Sequence, residues 1–246
     1  MAMWQNVKWA RKMSNSVERE TGGNKPLRIG VLASGNGSNL QALIDRSADG
    51  TLPAEVSCVI SNNASAFALE RARRHGIPAL HLDHRLFSSR ENYDAALVET
   101  LHEYRVELVA LAGFMRIISP VLIDAFAHAI MNIHPALLPA FPGLHAQRQA
   151  LDHGVKIAGC TVHFVDSGTD TGPIICQAAV PVLEGDTEES LSARILVEEH
   201  RCYPMAVRLF AEGRLTVAGR KVIIAPESGT STPACHSCTA GRLGHL

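Results

Sequence analysis

The stretch LRIGVLASGNGSNLQALI, residues 27–44, decides how the rest of the chain is read. Leu27 to Ala33 is a short apolar run of strand length, and Leu40, Leu43 and Ile44 recur at the spacing that seats a helix on a sheet. Between them lies the polar, glycine-rich link Ser34, Gly35, Asn36, Gly37, Ser38 and Asn39. Glycines permit the close turn, Ser38 or Asn39 can cap the helix, and the first backbone N–H groups of that helix face outward. Such a loop is an anion site in waiting. It is not the dinucleotide fingerprint, because Leu40 stands where GxGxxG needs its third glycine, and the GxxxxGK[ST] of a P-loop is absent. A tight turn without a ligand is the plain reading. Its place after the first strand of a parallel sheet favours phosphate.

Working outward, the rhythm repeats. Val56 to Ile60 reads as a strand, Ala64 to His75 as a helix stopped by Gly76, and Ile77 to Leu82 as extended chain. Glu91 to Tyr104 has a helical period, and Leu108 to Leu111 is apolar throughout, as suits a strand buried on both faces. Alternating strand and helix predicts an α/β fold, a mostly parallel sheet with helices on both faces. Ligands in such folds sit at the carboxyl ends of strands.

The second half changes character. Ile130 to Ile133 is a strand, followed by a loop punctuated by Pro135, Pro139 and Pro142, each fixing one backbone torsion. A short helix spans His145 to His153. Ile157 to Val165 and Ile174 to Val182 are strands joined by an acidic, glycine-rich link holding Asp166, Gly168, Asp170 and Gly172. Asp186 and Glu189 have capping-box spacing and open a long helix to about Phe210, with a kink expected near Pro204. Arg214 to Ala218 and Lys221 to Ile224 form a closing hairpin. The domain is therefore expected over residues 27–225, with a flexible extension at 1–26 and a disordered tail at 226–246.

Bulk properties exclude several classes. Lys and Arg number 23 against 24 Asp and Glu, so no broad positive surface for nucleic acid is implied. No apolar run reaches 18 residues, which argues against a membrane span. Cys58, Cys160, Cys176 and Cys202 lie in apolar contexts, and without a secretory segment they point to a reducing cytoplasm. The basic, partly aromatic leader leaves an organelle presequence as the alternative. Cys235 and Cys238 have half a zinc-knuckle spacing with no second pair.

Chemistry is suggested by Asn132 and His134, two residues apart at the end of a strand and so on one face. Pro135 holds His134 extended. A carboxamide and a protonated imidazole can aim at one developing oxyanion. Asp170 or Asp166 is the candidate carboxylate to favour that protonated form, and spacing alone leaves the choice open. His163 is divided between the cleft and a core role. No HExxH or other ligand spacing indicates a metal. Arg90 and Arg116 lie near strand–helix junctions where a guanidinium can clamp phosphate or carboxylate.

Taken in order, GNGSNLQA (Gly35–Ala42), LAGFMRI (Leu111–Ile117), NIHPALLP (Asn132–Pro139), PGLHA (Pro142–Ala146), HFVD (His163–Asp166) and DTGPII (Asp170–Ile175) resemble the phosphoribosylglycinamide formyltransferases. The likeness runs from about Leu27 to Arg220. It implies a Rossmann-like formyltransferase fold and transfer of the formyl group of 10-formyltetrahydrofolate, without metal, to glycinamide ribonucleotide in purine synthesis. It implies a monomer or homodimer, with Asn132, His134 and Asp170 as the catalytic group. Asn36, Gly37, Ser38, Asn39, Arg90 and Glu199 would bind the nucleotide. Met115, Arg116, Ile117, Ile118, Leu144 and the Asp166 loop would hold the folate. His145 and His163 match supporting histidines. The alternative is a 10-formyltetrahydrofolate hydrolase with water as acceptor, although such enzymes usually carry an added amino-terminal domain.

Overall fold

The computed structural model describes residues 25–227. All but two residues of the expected extension (1–26) and all but two of the expected tail (226–246), the Cys235/Cys238 pair included, lie outside the described residues. In chain order the elements are β1 (Leu27–Leu32), α1 (Ser38–Ala48), β2 (Ala54–Ser61), α2 (Phe67–Arg74), β3 (Ala79–His81), α3 (Arg90–Glu103), β4 (Leu108–Leu111), α4 (Pro120–Ala125) and β5 (Ile130–His134). Then follow α5 (Ala146–Asp152), β6 (Ile157–Phe164), β7 (Ile174–Pro181), α6 (Glu188–Ala211), β8 (Leu215–Ala218) and β9 (Lys221–Ile224).

The strands form one sheet in the order β3-β2-β1-β4-β5-β6-β7-β9-β8. From β3 to β5 every pairing is parallel, as expected. From β5 to β7 the pairings are antiparallel: β6 runs back along β5 after the proline-rich loop and α5, and β7 runs back along β6 after the acidic, glycine-rich link. The strand order reverses beside β1, which has β2 on one side and β4 on the other. That reversal opens a crevice at the carboxyl ends of the two strands.

The period-two alternation of β1 feeds two cores. Ile29 and Val31 pack with Leu40 and Leu43 of α1 and with Leu191, Ile195 and Val207 of α6. Leu32 turns to the other face, where it meets Leu97 and Leu101 of α3 and Leu122 of α4. Burying each such side chain contributes roughly 1.5–3 kcal/mol. The parallel half is thus covered on both sides.

The long carboxyl-terminal helix differs from expectation in its cap. Thr187 and Ser190 form the reciprocal box, with Ser190 N–H donating to Thr187 Oγ1 at 3.3 Å and Thr187 N–H to Ser190 Oγ at 3.0 Å. Asp186 cannot serve, because its carboxylate is held by both terminal nitrogens of Arg194 at 2.7 and 2.9 Å. Pro204 lies inside α6, which continues past it to Ala211.

One turn of α6 ties the sheet together. Tyr203 is fully buried, and its hydroxyl lies 3.0 Å from the carbonyl oxygens of both Leu111, at the end of β4, and Met131, near the start of β5. Burial pushes its phenol well above the usual range, so it stays a donor. Tyr203→Phe strips that donor from two buried acceptors and is expected to cost about 1–3 kcal/mol. Urea unfolding should show a lower midpoint with an unchanged slope.

Candidate active site

The loop after β1 departs from its expected cap. Gly37, not Ser38 or Asn39, is the N-cap of α1; it is left-handed at φ 73°, and no side chain caps the helix. A Cβ there would lie 2.7 Å from Ala68 Cβ, so α2 packs directly onto the loop. Gln41 N–H makes its bond to Gly37 O at 3.0 Å, leaving the N–H groups of Ser38, Asn39 and Leu40 ahead of the helical ladder. Asn39 lies inside the first turn of α1 rather than at its cap, and its Nδ2 donates to Glu199 Oε2 at 2.7 Å in a buried pair. Asn39 Oδ1 is buried without a partner. Burial pushes the Glu199 carboxyl up, and nearby Cys202 adds to this, while the Asn39 bond opposes it.

Ser34 couples this loop to the segment after β4. Its N–H donates to Gly113 O at 3.0 Å, and its Oγ accepts from Met115 N–H at 2.8 Å while donating to Asn62 Oδ1 at 2.6 Å. Met115 and Ile117 are exposed beyond it, as is Leu144 from the proline-rich loop. Ile118 is buried with Leu122 and Phe126, so it can offer a ligand its backbone rather than its side chain. The Arg116 guanidinium stacks 5.2 Å from the centre of the Tyr93 ring.

Arg90 opens α3, pairs with Glu91 at 3.6 Å, and with Arg116 acts on the buried Asp94 carboxylate. The arginine that does touch the loop is Arg71 of α2, bonded to Asn36, which sequence reasoning missed.

The polar centre lies at the end of β5. Antiparallel pairing sets Asn132 directly opposite His163 of β6. Asn132 Nδ2 lies 3.2 Å from His163 Nε2 and 3.4 Å from Asp170 Oδ1. His134 Nδ1 is 3.4 Å from Asp170 Oδ2, and its Nε2 donates to Phe141 O at 2.8 Å. His163 Nδ1 donates to Phe164 O at 2.8 Å, which leaves Nε2 to face Asn132 and, at 3.7 Å, Asp170 Oδ1. Gly143 N–H completes the group with a 2.8 Å bond to Asp170 Oδ2.

The two candidate acids differ in position. Asp166 accepts from Gly168 N–H and Thr171 Oγ1 within its own turn, at 3.1 and 2.6 Å, whereas Asp170 reaches both histidines. Half-burial pushes the Asp170 carboxyl up; the bond to His163, the Gly143 N–H and the charges of His134 and His163 outweigh it and hold the group below its ordinary value. Both nitrogens of His134 face oxygen acceptors, an arrangement satisfied in full only by an imidazolium. His145 is exposed at the left-handed N-cap of α5, at φ 57°. Among the described residues no group of three or more His, Cys, Asp or Glu could hold a metal ion, and no helix is long and apolar enough to cross a membrane.

An anion-type loop at a sheet's switch point, beside converging carboxamide, imidazole and carboxylate groups, is the framework of a two-substrate group-transfer enzyme. The chain belongs to the formyl transferase family, whose model matches residues 27–207. It is 49% identical over 189 residues to the phosphoribosylglycinamide formyltransferase of Escherichia coli, covering 77% of this chain and 89% of that one. It is also similar to the trifunctional purine biosynthetic protein adenosine-3 of Drosophila pseudoobscura pseudoobscura, at 53% over 190 residues. That match spans 76% of this chain and only 14% of the fly protein. Among solved structures, glycinamide ribonucleotide transformylase 1 from Symbiobacterium toebii superposes with a TM-score of 0.82 at 60% identity, covering 83% of this chain and 96% of that chain.

Glu199 generates a pH test. Its raised folded value means that stability is fully present below the unfolded glutamate value, about 4.3, and is lost as pH rises through the folded value. Glu199→Gln keeps an acceptor for Asn39 without the buried charge. Urea unfolding of the variant and the wild type should agree near pH 4, with the variant gaining relative stability as pH rises to neutrality.

Proposed function

We infer that this chain transfers the formyl group of 10-formyltetrahydrofolate to the amine of glycinamide ribonucleotide. The observation that carries the reading is the convergence of Asn132 and His134 on Asp170, with His163 behind, in a member of the formyl transferase family. The amino nitrogen attacks the formyl carbon, forming the new C–N bond and placing negative charge on the formyl oxygen. Asn132 Nδ2 and doubly protonated His134 point at one carboxylate position, and an oxyanion arriving beside it is met by both donors. Their 3.4 Å separations from Asp170 are long for hydrogen bonds and leave room to shorten onto that oxygen.

Asp170 stays ionised under these conditions, its carboxyl being held below the ordinary value. It favours the imidazolium and, through a water, relays a proton from the attacking amine to N10 as the C–N10 bond breaks. The folate brings the activated carbon, and no covalent protein intermediate is needed. The glycine loop and the Asn39–Glu199 pair take the phosphoribosyl end, and exposed Met115, Ile117 and Leu144 take the flat folate ring. Arg116 lies next to that surface. Arg90, grouped with it around Asp94, is better placed for the folate side than for the nucleotide phosphate.

His134→Ala removes an oxyanion donor and is expected to lower kcat by roughly 10²–10⁴, with far-UV dichroism unchanged. Wild-type turnover should require glycinamide ribonucleotide. Release of formate at the same rate without the amine would assign the chain to hydrolysis instead.

A further inference from the structure

We propose that Arg71 is the positioning residue of the glycine loop, holding Asn36 so that the N–H groups ahead of α1 stay aimed at the phosphate of the acceptor. The proposal rests on the functional reading above. Arg71 Nε donates to Asn36 O at 2.9 Å, Nη2 donates to Asn36 Oδ1 at 2.9 Å, and Nη1 donates to Gln41 Oε1 at 3.1 Å. One planar guanidinium thus grips both the main chain and the side chain of a single loop residue and fastens them to the second turn region of α1. Its own position is fixed from behind. The guanidinium lies 4.8 Å over the Phe67 ring, and the Arg71 carbonyl accepts from His75 Nδ1 at 2.8 Å.

This grip has a direct effect on the anion site. A loop can present N–H groups outward only if its carbonyls are turned away and satisfied elsewhere. Ala68 N–H takes Gly35 O at 3.1 Å, Arg71 takes Asn36 O, and Gln41 N–H takes Gly37 O. Two of these three donors belong to α2. Without Arg71, exposed Asn36 loses both of its anchors there, and the turn at Gly37 is held only by its neighbours.

Charge acts in the same direction. The three acceptors of Arg71 are the neutral oxygens of Asn36 and Gln41, and no ion pair to a carboxylate is formed by it among the described residues. Its positive field is felt locally: burial first and the Arg71 charge second push His200 down, with Asp45 opposing them. Arg71, Ser38, Gln41 and His200 also border a cleft of about 440 Å³ beside the loop. The field alone, however, does not require the fork of bonds to Asn36, and a lysine would supply it as well.

The test is steady-state kinetics of the full chain and of Arg71→Gln and Arg71→Lys, each checked for an unchanged thermal midpoint. For Arg71→Gln, KM for glycinamide ribonucleotide should rise about tenfold or more, with kcat and the folate KM within about twofold. Arg71→Lys should recover little of that rise, because one ammonium cannot serve both Asn36 oxygens. With glycinamide riboside, which lacks the phosphate, the wild type and Arg71→Gln should have the same KM. An unmoved KM for the ribonucleotide, an equal loss in kcat, or full rescue by lysine would each overturn the positioning role. Absence of formyl transfer by the wild type would instead sink the functional reading.

Discussion

The Asp170 carboxylate is the contact on which the site depends. It sits in the connection between β6 and β7 with a left-handed backbone, φ 55°, a conformation costing a residue with a Cβ about 1–2 kcal/mol. The surrounding chain enforces it: a Cβ on nearby Gly172 would fall 1.8 Å from Phe164 O, so the connection passes tightly over the end of β6. A half-buried carboxylate needs donors, and here they come from three separate elements: β5, β6 and the proline-rich loop through Gly143. Because its folded value is lowered, Asp170 contributes stability above the unfolded aspartate value, about 3.9, which is lost as pH falls through the folded value. Function and fold therefore draw on the same charge across the neutral range.

The sheet explains why these groups meet the glycine loop. β1, β4 and β5 are parallel neighbours, so the loops that follow them emerge at one edge. β6 then runs back antiparallel to β5 and brings His163 to face Asn132. α6 closes the arrangement from one side, offering Glu199 to Asn39 in the first turn of α1 and, four residues later, Tyr203 to the end of β4 and the start of β5. One helix thus fixes both the start of α1 and the strands beside which Asn132 and His134 stand.

Local signals in the sequence reached part of this. Period two placed Asn132 and His134 on one face, and both do meet Asp170. The strand–loop–helix signal located the turn at Gly35–Gly37, and the apolar run at Leu108–Leu111 marked a strand buried on both faces. What local patterns lacked was register. That His163 lies opposite Asn132 follows from pairing of β5 with β6, and nothing in either strand alone specifies it. Asp170 against Asp166 was undecidable from spacing, since the difference lies in a left-handed residue that is not glycine. Arg71 was hidden for a related reason: its partner Asn36 is 35 positions earlier, and only the packing of α2 on Gly37 brings them together. The cap of α6 shifted by one residue because Arg194, about two turns further on, claims Asp186.

The central claim is that an ionised Asp170 organises Asn132 and His134 for the chemical step rather than for binding. Single-turnover formyl transfer by Asp170→Asn, with both substrates saturating, tests it most directly. The substitution preserves size and two acceptor–donor positions while removing the charge. The rate of that step should fall roughly 10³-fold or more, with both substrates bound at near wild-type affinity. A rate within about tenfold of the wild type would contradict the claim.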